Sequence, residues 1–142
     1  MSGYLLGTNI LSELRKGARA PSRVKTWFDL QTAEELYLSV LTLGEIRRGI
    51  ERIRDRDPKS AVVLEKWLER LKRHHAARIL PITEMVADHW GRLDIRRPVP
   101  TVDALLAATA LEHDLVLATG NESDVASTSI TWVNPFTGAK SS

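Results

Sequence analysis

Glu45, Asp103 and Asp124 are the residues of this chain whose types and positions point to chemistry. Glu45 closes "TLGE" behind "ELYLSV", Asp103 opens an apolar helical segment after "RRPVPT", and Asp124 closes "TGNESD" behind "LVLAT". In a parallel α/β sheet the carboxyl ends of the strands line the crevice where ligands bind, so these positions are expected at one edge. The first strand candidate, Tyr4–Leu6, is followed at that edge by "GTN", residues Gly7 to Asn9. Three carboxylates at close range repel and raise one another's pKa unless a cation offsets their charge. Mg²⁺ or Mn²⁺ would do so, taking oxygen ligands and leaving coordination positions for phosphate and water.

Each acid also has a structural explanation. Thr42 with Glu45 has the spacing of a capping box, Asn121 with Asp124 repeats it, and Asp103 suits the positive end of a helix after Thr101. All three are accordingly expected in the first turn of a helix. Capping accounts for each acid singly and leaves their shared edge unexplained.

The elements that must position them alternate. Apolar or β-rich runs at Tyr4–Leu6, Glu35–Val40, "RILPI", Leu115–Thr119 and Ile130–Val133 predict five strands. Between them, helical spacing is read at Asn9–Lys16 (stopped by Gly17), from Ser22 through Phe28, over "TLGEIRRGIERIR", from about Ala61 to His74, over Thr83–Leu93 and over Val102–His113, with one turn at Asn121–Val125. "RRPVP" (Arg96 to Pro100) is a rigid connector. The alternation predicts an α/β fold, a parallel sheet of about five strands flanked by helices on both faces. The 142 residues suit one domain, placed at 1–136, with 137–142 as a frayed tail.

Composition removes other classes. With no cysteine, disulfides and thiolate metal sites are excluded, and 20 Lys and Arg against 18 Asp and Glu steer only weakly toward nucleic acid. No apolar run is long enough to span a membrane, and the start "MSGYLLGTN" is too short and uncharged for a signal peptide, so a cytoplasmic protein is expected. There is no GxGxxG and no GxxxxGK[ST], and a phosphoacceptor receiver would need paired acids directly after the first strand.

"YLLGTNILSEL", "LYLSVLTLGEIRRGI", "VDALLAATALEHDLVLATGN" and the closing "NPF" together resemble a PIN-domain ribonuclease of the VapC or FitB type, the toxin of a bacterial toxin–antitoxin pair. The resemblance covers nearly the whole chain, with its motifs in the family order. It implies a Mg²⁺-dependent endoribonuclease, Mn²⁺ being a substitute, with four acidic positions: position 7, Glu45, Asp103 and Asp124. Thr8, Asn9, Thr119 and Asn121 would be polar supports. It further implies a VapB-like antitoxin, an RNA substrate, a homodimer, and operator DNA reached only through the antitoxin.

Two departures stand out. The family's first motif usually reads "LLDTN"; here it is "LLGTN", so Gly7 occupies the position of the first metal-binding aspartate. Impaired cleavage is expected, the alternative being an inactive toxin that serves as an antitoxin-binding module. Glycine at a strand end also suits a tight turn. Gly120 stands where an arginine often precedes the asparagine of this segment.

The arginine run from Arg47 to Arg56 reads as a solvated helix face or as a contact for RNA phosphate or an acidic partner segment. Trp27, Phe28, Trp67 and Leu68 are candidates for a partner groove or for core packing. His74, His75, His89 and His113 lack zinc-type spacing and are expected in helix-end or packing roles.

Overall fold

The order in which the chain visits its sheet determines where a ligand can sit. The computed structural model describes residues 3–93, 99–126 and 128–141. The strands are β1 (Tyr4–Leu6), β2 (Leu36–Ser39), β3 (Ile79–Leu80), β4 (Val116–Ala118) and β5 (Trp132–Val133). They form one parallel sheet in the order β3-β2-β1-β4-β5. From β1 the chain steps outward to β2 and β3, then crosses back to add β4 and β5 on the other side. The carboxyl ends of β1 and β4 are therefore the point at which the winding reverses, where such sheets leave a crevice.

Leu5 and Leu6 on β1 are both fully buried, and successive strand side chains face opposite ways, so each seeds a different core. Leu6 joins Ile10 of α1 (Thr8–Leu14), Val24 of α2 (Ser22–Asp29), Ile46 and Ile50 of α3 (Val40–Arg54) and Leu68 of α4 (Pro58–His74). Leu5 joins Leu106, Ala107 and Ala110 of α6 (Thr101–Glu112) and Val125 of α7 (Glu122–Val125). The helix α6 is apolar nearly all round because α5 (Glu84–Arg92) packs along it while its alanines lie on the sheet.

Local chemistry explains the element ends. Gly17 takes a left-handed φ of 58° just beyond α1, a conformation that favours glycine. The N-cap of α4 is Asp57, whose carboxylate accepts from the Ser60 N–H at 3.2 Å, and Pro58 occupies the first turn; the helix thus begins earlier than Ala61. α3 starts directly from β2 with Ser39 as N-cap, its hydroxyl accepting from Leu41 N–H at 3.0 Å. The expected Thr42–Glu45 capping box is thereby corrected: Glu45 lies beyond the first turn of α3, and Thr42 is fully buried with a hydroxyl that has no partner among the described residues. Asn121 makes no side-chain cap either.

The arginines of α3 divide into two groups. Arg47 and Arg54 both pair with Glu51 and Glu65, tying α3 to α4, and the Arg54 and Arg47 guanidiniums hold the Glu51 carboxyl down at about 2. Arg48 and Arg52 stay exposed and make no ion pair among the described residues.

The end of the chain, expected to fray from 137, instead turns back on β5: Lys140 bridges Val133 in antiparallel fashion, and Ser141 exchanges bonds with Trp132 at 3.0 Å. This return covers an edge strand that would otherwise present unpaired backbone groups. Of the connector "RRPVP", residues 96–98 lie outside the described residues.

The unpartnered Thr42 hydroxyl yields a test. Replacing it by a methyl of similar shape removes a desolvated polar group that costs about 1 kcal/mol. Thr42→Val is expected to raise the melting temperature by about 2–4 °C; a working capping box would give a loss instead.

Candidate active site

A cleft of 390 Å³ opens at the reversal point, with Gly7, Thr8 and Asn9 from the end of β1, Thr119 and Asn121 from the end of β4, Glu45 from α3 and Asp103 from α6 along its walls. Residues more than a hundred positions apart meet there because β1 and β4 are neighbours, with Leu6 opposite Ala118.

The four polar residues singled out from the sequence each hold something. Thr8 Oγ1 donates to Glu45 Oε1 at 2.5 Å, and so ties the end of β1 to α3. The Asn121 side chain hydrogen-bonds the Asp103 carboxylate, linking the turn after β4 to α6. Asn9 Oδ1 accepts from Gly120 N–H at 3.3 Å, and Thr119 Oγ1 accepts from Asn121 N–H at 3.0 Å. Asn9 and Thr119 thus shape the turn after β4.

Asp103 is the electrostatic centre of the group. Its pKa is raised, first by burial and then by the negative charges of Asp124 and Glu45; the Asn121 hydrogen bond works in the opposite direction. Asp103 on α6 therefore senses the carboxylates of Asp124 on α7 and Glu45 on α3. Asp124, on α7, stands half-buried outside the lining of the cleft. Among the described residues, no three His, Cys, Asp or Glu side chains form a closed set for an ion. The donors are oxygens only, and a cation would relieve the repulsion on Asp103, which fits a hard divalent ion held by one or two carboxylates and water.

Gly7 completes the picture of an open cluster. It is buried, donates its N–H to Ala118 O at 2.8 Å, and has φ −72° and ψ 158°, ordinary extended backbone. The expectation that glycine serves a tight turn here is corrected, because any residue adopts these angles. A Cβ would lie 3.0 Å from Ala118 O and 3.3 Å from Asn9 Oδ1, so a side chain needs its neighbours to shift by a few tenths of an ångström. Gly120 has a different reason: a Cβ there would come within 2.7 Å of the Phe136 ring, and the glycine makes room for the closing "NPF".

The cleft also contains residues that the sequence reading passed over. Glu13 and Ser12 line it, Glu13 being paired with Lys16 at 2.8 Å. The signal was present, since Glu13 lies four residues after Asn9 on the same side of α1. Buried Asn134 donates to Glu122 at 2.6 Å and anchors α7. The histidines stay out of the cleft: His89 bonds Glu112 at 2.8 Å, and His75 bonds Leu71 O while burial lowers its pKa.

Residues 4–128 match the family model described as PIN domain. The chain is 29% identical over 137 residues to Toxin FitB of Neisseria gonorrhoeae, covering 93% of this chain and 97% of that one. It is 31% identical over 140 residues to Plasmid stability protein StbB of Pseudomonas syringae pv. tomato, covering 93% and 97%. Among solved structures, FitAcB from Neisseria gonorrhoeae superposes with a TM-score of 0.85 at 31% identity, covering 94% of this chain and 99% of that one.

The raised pKa of Asp103 has a definite sign. The folded state holds the proton more tightly than the unfolded state, so stability falls as pH rises from the ordinary aspartate range through the folded value. Asp103→Asn is expected to melt at higher temperature than the parent in EDTA near pH 7, and to show a flatter dependence of melting temperature between pH 4 and pH 7. A lower melting temperature in EDTA would mean that the carboxylate is structurally required.

Proposed function

We propose, for a chain that belongs to the PIN-domain family, that it is the toxin of a toxin–antitoxin pair and a divalent-metal-dependent endoribonuclease weakened at its first acidic position. The observation that carries this reading is the half-buried Asp103 carboxylate, repelled by Asp124 and Glu45 at the mouth of the sheet's reversal point. A relative named VapC ribonuclease Y4jK, from Sinorhizobium fredii, supports RNA as the substrate.

Asp103 and Asp124 would hold the ion, Mg²⁺ or Mn²⁺, with Glu45 beside them. That ion's chemistry is to offset phosphate charge and to lower the pKa of water. Thr8 keeps one Glu45 oxygen occupied, so the other would be the one to accept from water. Asn121 holds Asp103 in place through its side chain, and Asn9 with Thr119 holds the turn that carries Asn121. Position 7 supplies no carboxylate, and an acidic side chain there would need Ala118 or Asn9 to give by a few tenths of an ångström.

An antitoxin is the proposed protein partner, as the FitAB and FitAcB assemblies suggest. A groove leaves Thr8 and Glu45 along Ile46, Ile50, Ile53 and Leu64 to Trp67, and Trp67 also borders a second hollow of 530 Å³ with Phe28, Leu36 and His75. Of the aromatic and apolar candidates, Trp67 thus lines both the groove and the hollow, and Phe28 the hollow alone. Leu68 lies in the core, and Trp27 packs edge-on against Tyr4 at 5.0 Å. A homodimer, operator DNA bound through the antitoxin, and a cytoplasmic setting complete the reading; no helix among the described residues is long and apolar enough to cross a membrane.

Gly7 favours a second reading, an inactive toxin that retains antitoxin binding. Cleavage of a single-stranded RNA in Mg²⁺ and Mn²⁺ separates the two. Gly7→Asp is expected to increase the rate by at least about tenfold, the scale on which metal-site changes act; equal rates for the two proteins would sink the claim of impairment, and no cleavage by either leaves only the binding module. Trp67→Ala is expected to weaken the antitoxin complex by about 30-fold or more, as loss of a buried aromatic anchor does, and unchanged affinity would place the partner elsewhere.

A further inference from the structure

Glu45 borders a second groove that the reading above does not use. This groove, of 340 Å³, runs over α3 past Gly44 to Arg48 and Arg52, with Val40, Leu41 and Val102 as its apolar walls. We infer that it is the path of the substrate strand, in which Arg48 and Arg52 bind backbone phosphates flanking the bond to be cut, over a floor kept open by Gly44. The inference rests on the ribonuclease reading and specifies where its substrate lies.

Three observations carry it. First, Glu45, Arg48 and Arg52 are spaced by three and four residues, which puts them along one side of α3, about 4.5 and 10.5 Å of helix axis beyond Glu45. Second, the neighbouring cations are engaged elsewhere. Arg47 and Arg54 are held by Glu51 and Glu65, whereas Arg48 and Arg52 are exposed and make no ion pair among the described residues. Third, Gly44 sits inside a helix, where glycine weakens the backbone, yet nothing lies within 4 Å of where its Cβ would be. Among the described residues, no contact requires a glycine there. A side chain would project into the groove and meet whatever occupies it.

The two grooves that meet at Glu45 differ in chemistry. One follows Ile46, Ile50 and Ile53 and suits an apolar peptide; the other follows Arg48 and Arg52 and suits a polyanion with apolar faces between its charges. Single-stranded RNA has that character: its phosphates would face the guanidiniums while a base or ribose rests on Val40 and Val102.

Binding of a labelled single-stranded RNA oligonucleotide to the full chain, followed by fluorescence anisotropy in EDTA so that no cleavage occurs, tests this apart from catalysis. The Arg48→Gln, Arg52→Gln double variant is expected to bind about tenfold or more weakly near 0.1 M salt. The slope of log affinity against log salt should fall by about 0.7 for each phosphate that the variant no longer neutralises. Gly44→Leu should also weaken binding while leaving the melting temperature equal or higher, and Arg73→Gln on α4 should change neither affinity nor slope. In the Gly7→Asp background the double variant should raise KM with kcat retained.

Unchanged affinity and slope in the double variant overturn the inference, as does an equal loss from Arg73→Gln. Loss of antitoxin binding with RNA binding intact would reassign the groove to an acidic protein segment. Failure of the parent chain to bind RNA at all would overturn the ribonuclease reading itself, and this inference with it.

Discussion

β1 has hydrogen-bonded neighbours on both edges, and that constraint shapes everything at the site. Because β1 is the first strand of the sheet, both of its parallel neighbours come later in the chain, which goes out to β2 and β3 on one side and must return to add β4 and β5 on the other. The helices that follow β1 and β4 therefore diverge from a common point, and the loops at that point face one another across a crevice. Gly7, Thr8 and Asn9 meet Thr119 and Asn121 for this reason, and α3 and α6 add Glu45 and Asp103 from the flanks. The two cores, seeded by Leu6 and Leu5 on opposite faces, keep that arrangement rigid.

Within this frame the polar residues form a tethering system. Thr8 holds Glu45 and Asn121 holds Asp103, so residues next to strand ends orient acids that come from elsewhere. The negative charge collected at Asp103 is a folding cost in the absence of a counterion, since burial and two like charges all act against its ionisation. A fourth carboxylate at position 7 would increase that cost, and the ordinary backbone of Gly7 shows that the glycine is not demanded by the turn.

α3 serves several neighbours at once. Its Ile46 and Ile50 enter the core, Arg47 and Arg54 lock it to α4, Glu45 reaches the cleft, and Arg48 and Arg52 are left to solvent. A charge count of the run from Arg47 to Arg56 could not separate these roles, because pairing depends on Glu65, which arrives from the next helix.

Much was legible in one dimension. The alternation of β-rich runs with helical spacing led to five parallel strands and to acids near their carboxyl ends, because periodicity and turn chemistry are local properties. The order β3-β2-β1-β4-β5 was not legible, since strand pairing is a matter between distant residues. Nor were the capping errors: Thr42 and Glu45 had the right spacing for a box, but the helix began at Val40, and Ser39 took the cap. The tail from 137 read as polar and frayed, yet it gained backbone partners on β5 that no local pattern could announce. What the sequence alone determined was the supply of side chains, including the absence of an acid at position 7. Which of them meet, and that Asp103 is the one whose charge is opposed by Asp124 and Glu45, was decided only when distant helices were packed on a single sheet, because electrostatic repulsion and burial depend on distances that the order of residues does not contain.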